Sequence, residues 1–120
     1  MIRILCVFFF SSFSCISTWA ERESYFQQSF AEKCNGKTEV VMTDGTRCDI
    51  LTEDYVMEVD FAHKWAEAIG QSLNYARLTG KRAGIVLIIK RNKDEHHLDR
   101  VLKIIESYSL PIDIFSIYTK

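Results

Sequence analysis

Three acidic side chains stand in two short segments whose composition is typical of β-strands. Asp49 belongs to segment 47–52, and Glu58 and Asp60 belong to segment 55–61. Because side chains alternate along a strand, Glu58 and Asp60 share one face, and a neighbouring strand can bring Asp49 beside Glu58. Buried carboxylates are costly unless they are paired or bind a cation, and such oxygen ligands suit a hard divalent ion. The pattern predicts a metal-ligand cluster; the alternative is an exposed, charged sheet face.

A polar stripe lies on the predicted helix that follows these strands. At about 100° per residue, Lys64, Gln71 and Tyr75 lie within about 40° of each other on the helix surface. The stripe is separated from the apolar face, which includes Trp65 and Leu73. By itself it is ordinary helix surface, but its position directly after the acidic strand predicts that it borders a cleft there.

The elements that would position these residues alternate between helical and strand patterns. Asp44-Gly45 is a hairpin signal between two strands, and Gly80 and Pro111 end helices. The order of helix, three strands, helix, strand, helix, strand predicts an α/β fold with a mixed sheet, in which an antiparallel meander precedes crossover units. The predicted helices are 22–33, 62–79 and 94–109, and the predicted strands are 38–43, 47–52, 55–61, 83–89 and 112–118.

The composition is that of one globular domain. The chain has 120 residues, of which 48% are hydrophobic and 26% are charged, so a packed core is feasible and the composition is not typical of a disordered chain. The formal net charge of −1 excludes a strongly basic binder of the histone type.

Residues 1–20 have the layout of a secretory signal peptide. Arg3 precedes an apolar run, and Thr18 and Ala20 place small residues three and one positions before a cut. The alternatives are a transmembrane anchor, for which the apolar run is short, and a lipoprotein at Cys15. We predict cleavage after Ala20 and a secreted or periplasmic protein, with residues 21–120 as a single domain and no membrane association after cleavage.

Two cysteines remain after the predicted cleavage, Cys34 and Cys48. In an oxidising compartment an even number of cysteines favours a disulfide. A bridge here would close a loop of about 15 residues and stabilise the fold by roughly 3 kcal/mol in the loop-entropy account. The alternative is two separate buried thiols.

The acidic strands and the polar stripe together resemble the PD-(D/E)XK nuclease superfamily. The matching positions are 47–51, then Glu58-Val59-Asp60, Lys64 and the run 71–75. The run 58–71 is similar to small exported members, and the resemblance covers about residues 23–118. It implies a restriction-endonuclease-like α-β-β-β-α-β core, with a mixed central sheet flanked by helices.

The resemblance implies a catalytic set and its metal ion. Asp49 and Glu58 match the acids that ligate Mg²⁺ or Mn²⁺, with Asp60 as a third ligand or a nearby acceptor. The family expects lysine at position 60, so Asp60 departs from the pattern. Lys64 is similar to the displaced lysine of some members and would orient the attacking water. Gln71 belongs to the helix motif and completes the catalytic set.

Substrate contacts follow from the same resemblance. Gln71 and Tyr75 match the helix motif that contacts substrate phosphate in related nucleases. Arg77, Lys81 and Arg82 begin a run of cations between positions 77 and 93. These cations could flank the cleft and contact phosphates, although the alternative for each one is solvated surface.

Two functions are consistent with these residues. The first is an exported, Mg²⁺-dependent nuclease that hydrolyses phosphodiester bonds of DNA. The second is a catalytically inactive module of the same fold that binds nucleic acid or a protein partner, which Asp60 favours. The three histidines invite a metal or acid–base role, but an adjacent pair such as His96 and His97 at a helix start is more typical of plain surface, and His63 has no second candidate ligand in its stripe.

Overall fold

The structure, a computed structural model, describes residues 19–120, with side chains from residue 22 onward. The predicted signal peptide lies outside the described residues, except that positions 19 and 20 begin the first helix. Among the described helices, none is long and apolar enough to span a membrane.

The predicted order of helices and strands is confirmed, with boundaries that shift by a few residues. The helix predicted from residue 62 begins with a 3₁₀ turn, and no side chain caps that turn at Phe61. The elements are α1 (Trp19–Cys34), β1 (Lys37–Val41), β2 (Arg47–Leu51), β3 (Tyr55–Phe61), the 3₁₀ turn (Ala62–Lys64), α2 (Trp65–Thr79), β4 (Arg82–Lys90), α3 (Glu95–Ser107) and β5 (Ile112–Thr119).

The five strands form one mixed sheet in the order β1-β2-β3-β4-β5. β1 to β3 are antiparallel neighbours, whereas β3, β4 and β5 run parallel. The Asp44-Gly45 signal does form the β1–β2 connection: Gly45 has φ 84°, and an Asp44 carboxylate oxygen accepts the Thr46 N–H at 3.0 Å. The predicted mixed α/β architecture, an antiparallel meander followed by crossovers, is therefore confirmed.

The helices cover both faces of the sheet. Ile85 and Leu87 of β4 pack with residues of α2 and α3, whereas Val86 and Ile88 pack with residues of α1. Burial on both faces explains why the sequence of β4 is a continuous apolar run instead of an alternating one.

The predicted disulfide between Cys34 and Cys48 is not formed, since both are free thiols. Cys34 ends α1, contacts the Ala31 carbonyl at 3.6 Å and packs in the cluster under α1. Cys48 is fully buried in a cluster that includes Tyr75 of α2. Cys34, a residue of α1, and Cys48, which packs against α2, thus lie in clusters on different faces of the sheet. Burial raises the pKa of the Cys48 thiol to about 11, so at neutral pH it is a protonated, small apolar side chain.

Candidate active site

The site is centred where β2 and β3 stop pairing. The two strands pair at Ile50–Met57 and Leu51–Val56. One step further, the Asp49 carboxylate accepts the backbone N–H of Val59, with an O···N distance of 2.7 Å. A side chain of β2 thus accepts the hydrogen bond of a β3 backbone N–H, and the Asp49 carboxylate lies between the two strands.

Glu58 is the most strongly perturbed acid of the site. It is 6% exposed, and its Oε2 is buried without a hydrogen-bond partner among the described residues. Burial, followed by the charges of Asp49 and Asp60, raises the pKa of Glu58 to about 9. The raised pKa favours the protonated form of Glu58 near neutral pH, beside the Asp49 carboxyl.

Asp49 and Asp60 are perturbed in the same direction. Burial raises the pKa of Asp49, and the N–H donated by Val59 partly offsets this effect. Asp60 is 5% exposed, and burial and then the charge of Glu23 raise its pKa to about 7, against the opposing charge of Lys64. The charges of the three acids and of Lys64 thus act on one another, but their role as one metal-ligand set stays a prediction.

Glu23 of α1 is a fourth acid that the sequence reasoning missed. Burial and the charge of Asp49 raise its pKa, whereas the charge of Lys64 lowers it. Gln27, one turn later, is 6% exposed and donates to Glu39 Oε1 at 3.0 Å. Glu23, Gln27 and Phe30 are spaced by four and three residues, so they share one helix face. That spacing could have shown Glu23 on the side of α1 that faces the sheet.

The carboxylate oxygens of the site are ligands of the type that a hard cation prefers. Within residues 19–120, no three His, Cys, Asp or Glu side chains are arranged as a metal-binding group. Mg²⁺, however, is commonly held by one or two carboxylates together with water and substrate oxygens. Asp49 and Glu58 meet that lesser requirement, and the unpartnered Oε2 of Glu58 is an oxygen that a cation would satisfy.

Gln71 and Tyr75, the two residues of α2 that are predicted to contact phosphate, have different environments. Gln71 is exposed on α2. Tyr75 is 4% exposed, and its hydroxyl donates to the Arg47 carbonyl at 2.9 Å. Burial, and then the charges of Glu58 and Asp49, raise the pKa of Tyr75. Tyr75 therefore supports the site from the core side, and its predicted contact with phosphate stays a prediction.

We expect Tyr75→Phe to destabilise the fold by about 1–2 kcal/mol, because it leaves the Arg47 carbonyl without its donor. In a domain of this size, that is a fall in melting temperature of about 4–16 °C. Thermal unfolding followed by circular dichroism measures the change. Tyr108→Phe is the matched control, since Tyr108 is 72% exposed. Equal melting temperatures for Tyr75→Phe and Tyr108→Phe would contradict the supporting role.

The structure does not bring the three predicted phosphate-binding cations to the carboxylates. Arg82 begins β4, at the opposite end of the sheet, and donates to Asp113 Oδ1 at 2.8 Å. The Lys81 ammonium donates to a backbone carbonyl of the β2–β3 connection at 2.8 Å. Arg77, near the end of α2, donates to Asn74 at 2.8 Å. These three cations hold local structure, and their contact with phosphate stays a prediction.

Comparisons with known proteins give one distant relative. No protein-family model matches the chain, and no solved structure matches it. Over 96 residues the chain is 25% identical to a KilA-N domain-containing protein of Acanthamoeba polyphaga mimivirus, a match that covers 80% of this chain and 38% of that protein. The chain thus spans less than half the length of the relative that it resembles, and this likeness does not place it in a family.

Proposed function

We propose that the protein is a metal-dependent nuclease of the PD-(D/E)XK type that hydrolyses phosphodiester bonds of DNA. The observation that carries the proposal is the meeting of Asp49 and Glu58 at the point where β2 and β3 separate. A cluster of buried acids with raised pKa values is costly to a fold, and such clusters are concentrated at functional sites.

The order of elements supports the finer, restriction-endonuclease-like assignment. A helix precedes an antiparallel meander of three strands, and α2 then leads to β4, which is parallel to β3. This is the α-β-β-β-α-β order that the resemblance implies. It places the acids of β2 and β3 side by side at the base of α2, where Lys64 lies.

Each residue of the site has a distinct part in the proposed chemistry. Asp49 and Glu58 would hold Mg²⁺ or Mn²⁺, and Asp60 would accept hydrogen bonds beside them. When bound, the ion would make water more acidic and offset charge on a phosphate oxygen. Lys64 would orient the attacking water and stabilise negative charge on the phosphate as a point charge. Gln71, which is exposed on α2, would contact a phosphate of the DNA strand.

The second candidate is a binding module that has lost catalysis. Asp60 favours it, because an acid stands where the related nucleases carry lysine and no cation replaces it on β3. Such a protein would hold nucleic acid, or a protein partner, without cleaving it.

A plasmid-nicking assay separates the two candidates. We expect supercoiled plasmid to be converted to open-circular and linear DNA with Mg²⁺ or Mn²⁺, and no conversion in EDTA. Because a bound ion must displace the proton of Glu58, whose pKa is about 9, half-maximal cleavage should need less Mg²⁺ at pH 9 than at pH 7. Retention of plasmid in a gel shift, with no cleavage under either condition, would favour the binding module.

Export to the periplasm or the medium is the remaining part of the proposal. Its support is the sequence of residues 1–20 alone, with Arg3, the apolar run and Ala20. An exported protein would meet nucleic acid outside the cytoplasm, which is consistent with a nuclease that acts on foreign or released DNA.

A further inference from the structure

A basic cavity of about 500 Å³ lies at the carboxyl ends of the three parallel strands. The last residues of β3, β4 and β5, which are Phe61, Lys90 and Thr119, all line it. In open α/β sheets, ligands bind outside the carboxyl ends of parallel strands. The volume is within the range of about 300–1,000 Å³ that is usual for small-molecule sites.

The charge of the cavity is strongly one-sided. Among the described residues, Arg22, Lys90, Lys93 and Lys120 line it together with three histidines, whereas Asp94 is the one acid in its lining. An oxygen of Asp94 accepts the backbone N–H of Lys90 at 3.0 Å, so this carboxylate is engaged with the protein itself. The cavity therefore attracts anions, although the whole chain has a net charge of −1.

The three histidines of the sequence converge at this cavity. His63, His96 and His97 all line it, and the ring centroids of His96 and His97 are 3.9 Å apart. The Nδ1 atom of His97 is buried without a hydrogen-bond partner among residues 19–120. Buried polar atoms are almost always paired, so a lining residue with an unpaired nitrogen is unusual and is consistent with a ligand at this wall.

Aromatic rings form another part of the wall. Phe26 of α1 and Phe61 of β3 line the cavity, and the Phe61 ring is stacked with the His63 ring at a centroid distance of 6.3 Å. Cations beside aromatic rings are the combination that binds the phosphate and the base of single-stranded nucleic acid. A bare inorganic anion would leave the apolar part of this wall unused.

We propose that this cavity holds one nucleotide of a single-stranded segment of nucleic acid, with its phosphate at Lys90 and Lys93 and its base against Phe26 and Phe61. Phe61 directly follows Asp60 in the chain, so the cavity and the carboxylate site meet at the end of β3, with these two side chains on opposite faces of the strand. The inference rests on the proposed function in that nucleic acid is the ligand. It does not require cleavage.

The test is the binding of a fluorescein-labelled strand of eight thymidines to the full chain, in EDTA, measured by fluorescence anisotropy. The double variant Lys90→Gln/Lys93→Gln should bind at least about fivefold more weakly at 0.1 M salt, and the slope of log affinity against log salt should fall by about 1.4, or about 0.7 for each lost contact. Lys33→Gln/Lys37→Gln is the matched control. It removes two exposed cations from the end of α1 and the start of β1, and should bind as the wild type does.

A second arm tests for the base. A strand of equal length and charge with abasic sites should bind at least about fivefold more weakly than the thymidine strand, because stacking on Phe26 and Phe61 is lost. Equal binding of the two strands would overturn the nucleotide assignment in favour of a site for phosphate alone. Equal loss in the two lysine variants, or no binding by the wild type, would overturn the cavity as the site.

The failure of this inference and the failure of the proposed nuclease are distinguishable. If the wild type nicks plasmid but Lys90→Gln/Lys93→Gln binds the strand as the control does, the cavity assignment is wrong and the nuclease stands. If the wild type never nicks DNA but its metal-free binding depends on Lys90 and Lys93, the cavity assignment stands and the nuclease is wrong.

Discussion

Replacing Glu58 with glutamine should raise the melting temperature of the metal-free protein at pH 8 by about 8–16 °C, or about 2 kcal/mol of unfolding free energy. The pKa of Glu58 is about 9 in the folded chain, against an ordinary value of 4.5. Between these values the folded state retains a proton that the unfolded state has released, so stability falls as the pH rises. We expect a smaller gain in unfolding free energy than the full pKa shift of Glu58 would give, because the neighbouring acids titrate together with it.

Glutamine removes this ionisation and keeps the size of the side chain. Asp60 has a pKa of about 7 against an ordinary 3.8, so it also lowers stability as the pH rises between these two values. This contribution remains in the Glu58→Gln variant. Thermal unfolding in EDTA from pH 5 to pH 9 measures the difference. Glu53→Gln, at an exposed acid of the β2–β3 connection, is the control. If the wild type and Glu58→Gln lose equal stability between pH 5 and pH 9, then Glu58 is not held protonated in the folded chain.

The sequence predicted the elements because local pattern and tertiary packing agree in this chain. Segment 55–61 lies between two turn signals and begins and ends as predicted. The apolar run 83–89 predicted burial on both faces, and β4 is buried on both. Gly80, with φ 69°, ends α2 where the sequence predicted. The interaction among the charges of Asp49, Glu58 and Asp60 agrees with the alternation of side chains along two neighbouring strands.

The parts that were missed depend on how the elements lie in three dimensions. Alternation indicates which residues share a face, but it does not indicate where β2 and β3 stop pairing or that Asp49 would accept the Val59 N–H. The placement of Glu23 depends on how α1 crosses the sheet. The separation of Cys34 from Cys48 depends on which helix covers each one. Spacing along the chain shows which face of α1 carries Glu23, but not which strands that face meets.

The cations show the same limit. Arg77, Lys81 and Arg82 are close in sequence to the α2 motif, yet Lys81 and Arg82 lie where β4 begins, whereas Lys90 and Lys93 lie where it ends. A nine-residue strand separates the two groups by about 30 Å. Only a topology with β4 parallel to β3 shows that the later cations are on the side of His63 and Lys64.

Lys64→Ala should separate catalysis from metal binding. In the proposed mechanism Lys64 acts on the attacking water and the phosphate, so its loss should lower the nicking rate by about 10²–10³-fold. The variant should keep most of the rise in melting temperature that Mg²⁺ produces, because an ion that binds only the folded state stabilises it by mass action. Lys37→Ala, at an exposed position of β1, is the control for loss of a positive charge. Loss of the Mg²⁺-induced rise in Lys64→Ala would contradict its role as a purely catalytic group.

The most direct test of the nuclease site is Mg²⁺-dependent nicking by Asp49→Asn, measured beside the wild type and Asp54→Asn. Asparagine preserves the shape of Asp49 and an oxygen that can accept the Val59 N–H, but it removes the charge that would hold the ion. Asp54 is exposed in the β2–β3 connection, so its variant changes the net charge equally outside the site. We predict that Asp49→Asn loses both nicking and the Mg²⁺-induced rise in melting temperature, whereas Asp54→Asn keeps both. Nicking by Asp49→Asn at the wild-type rate would contradict the assignment of this site.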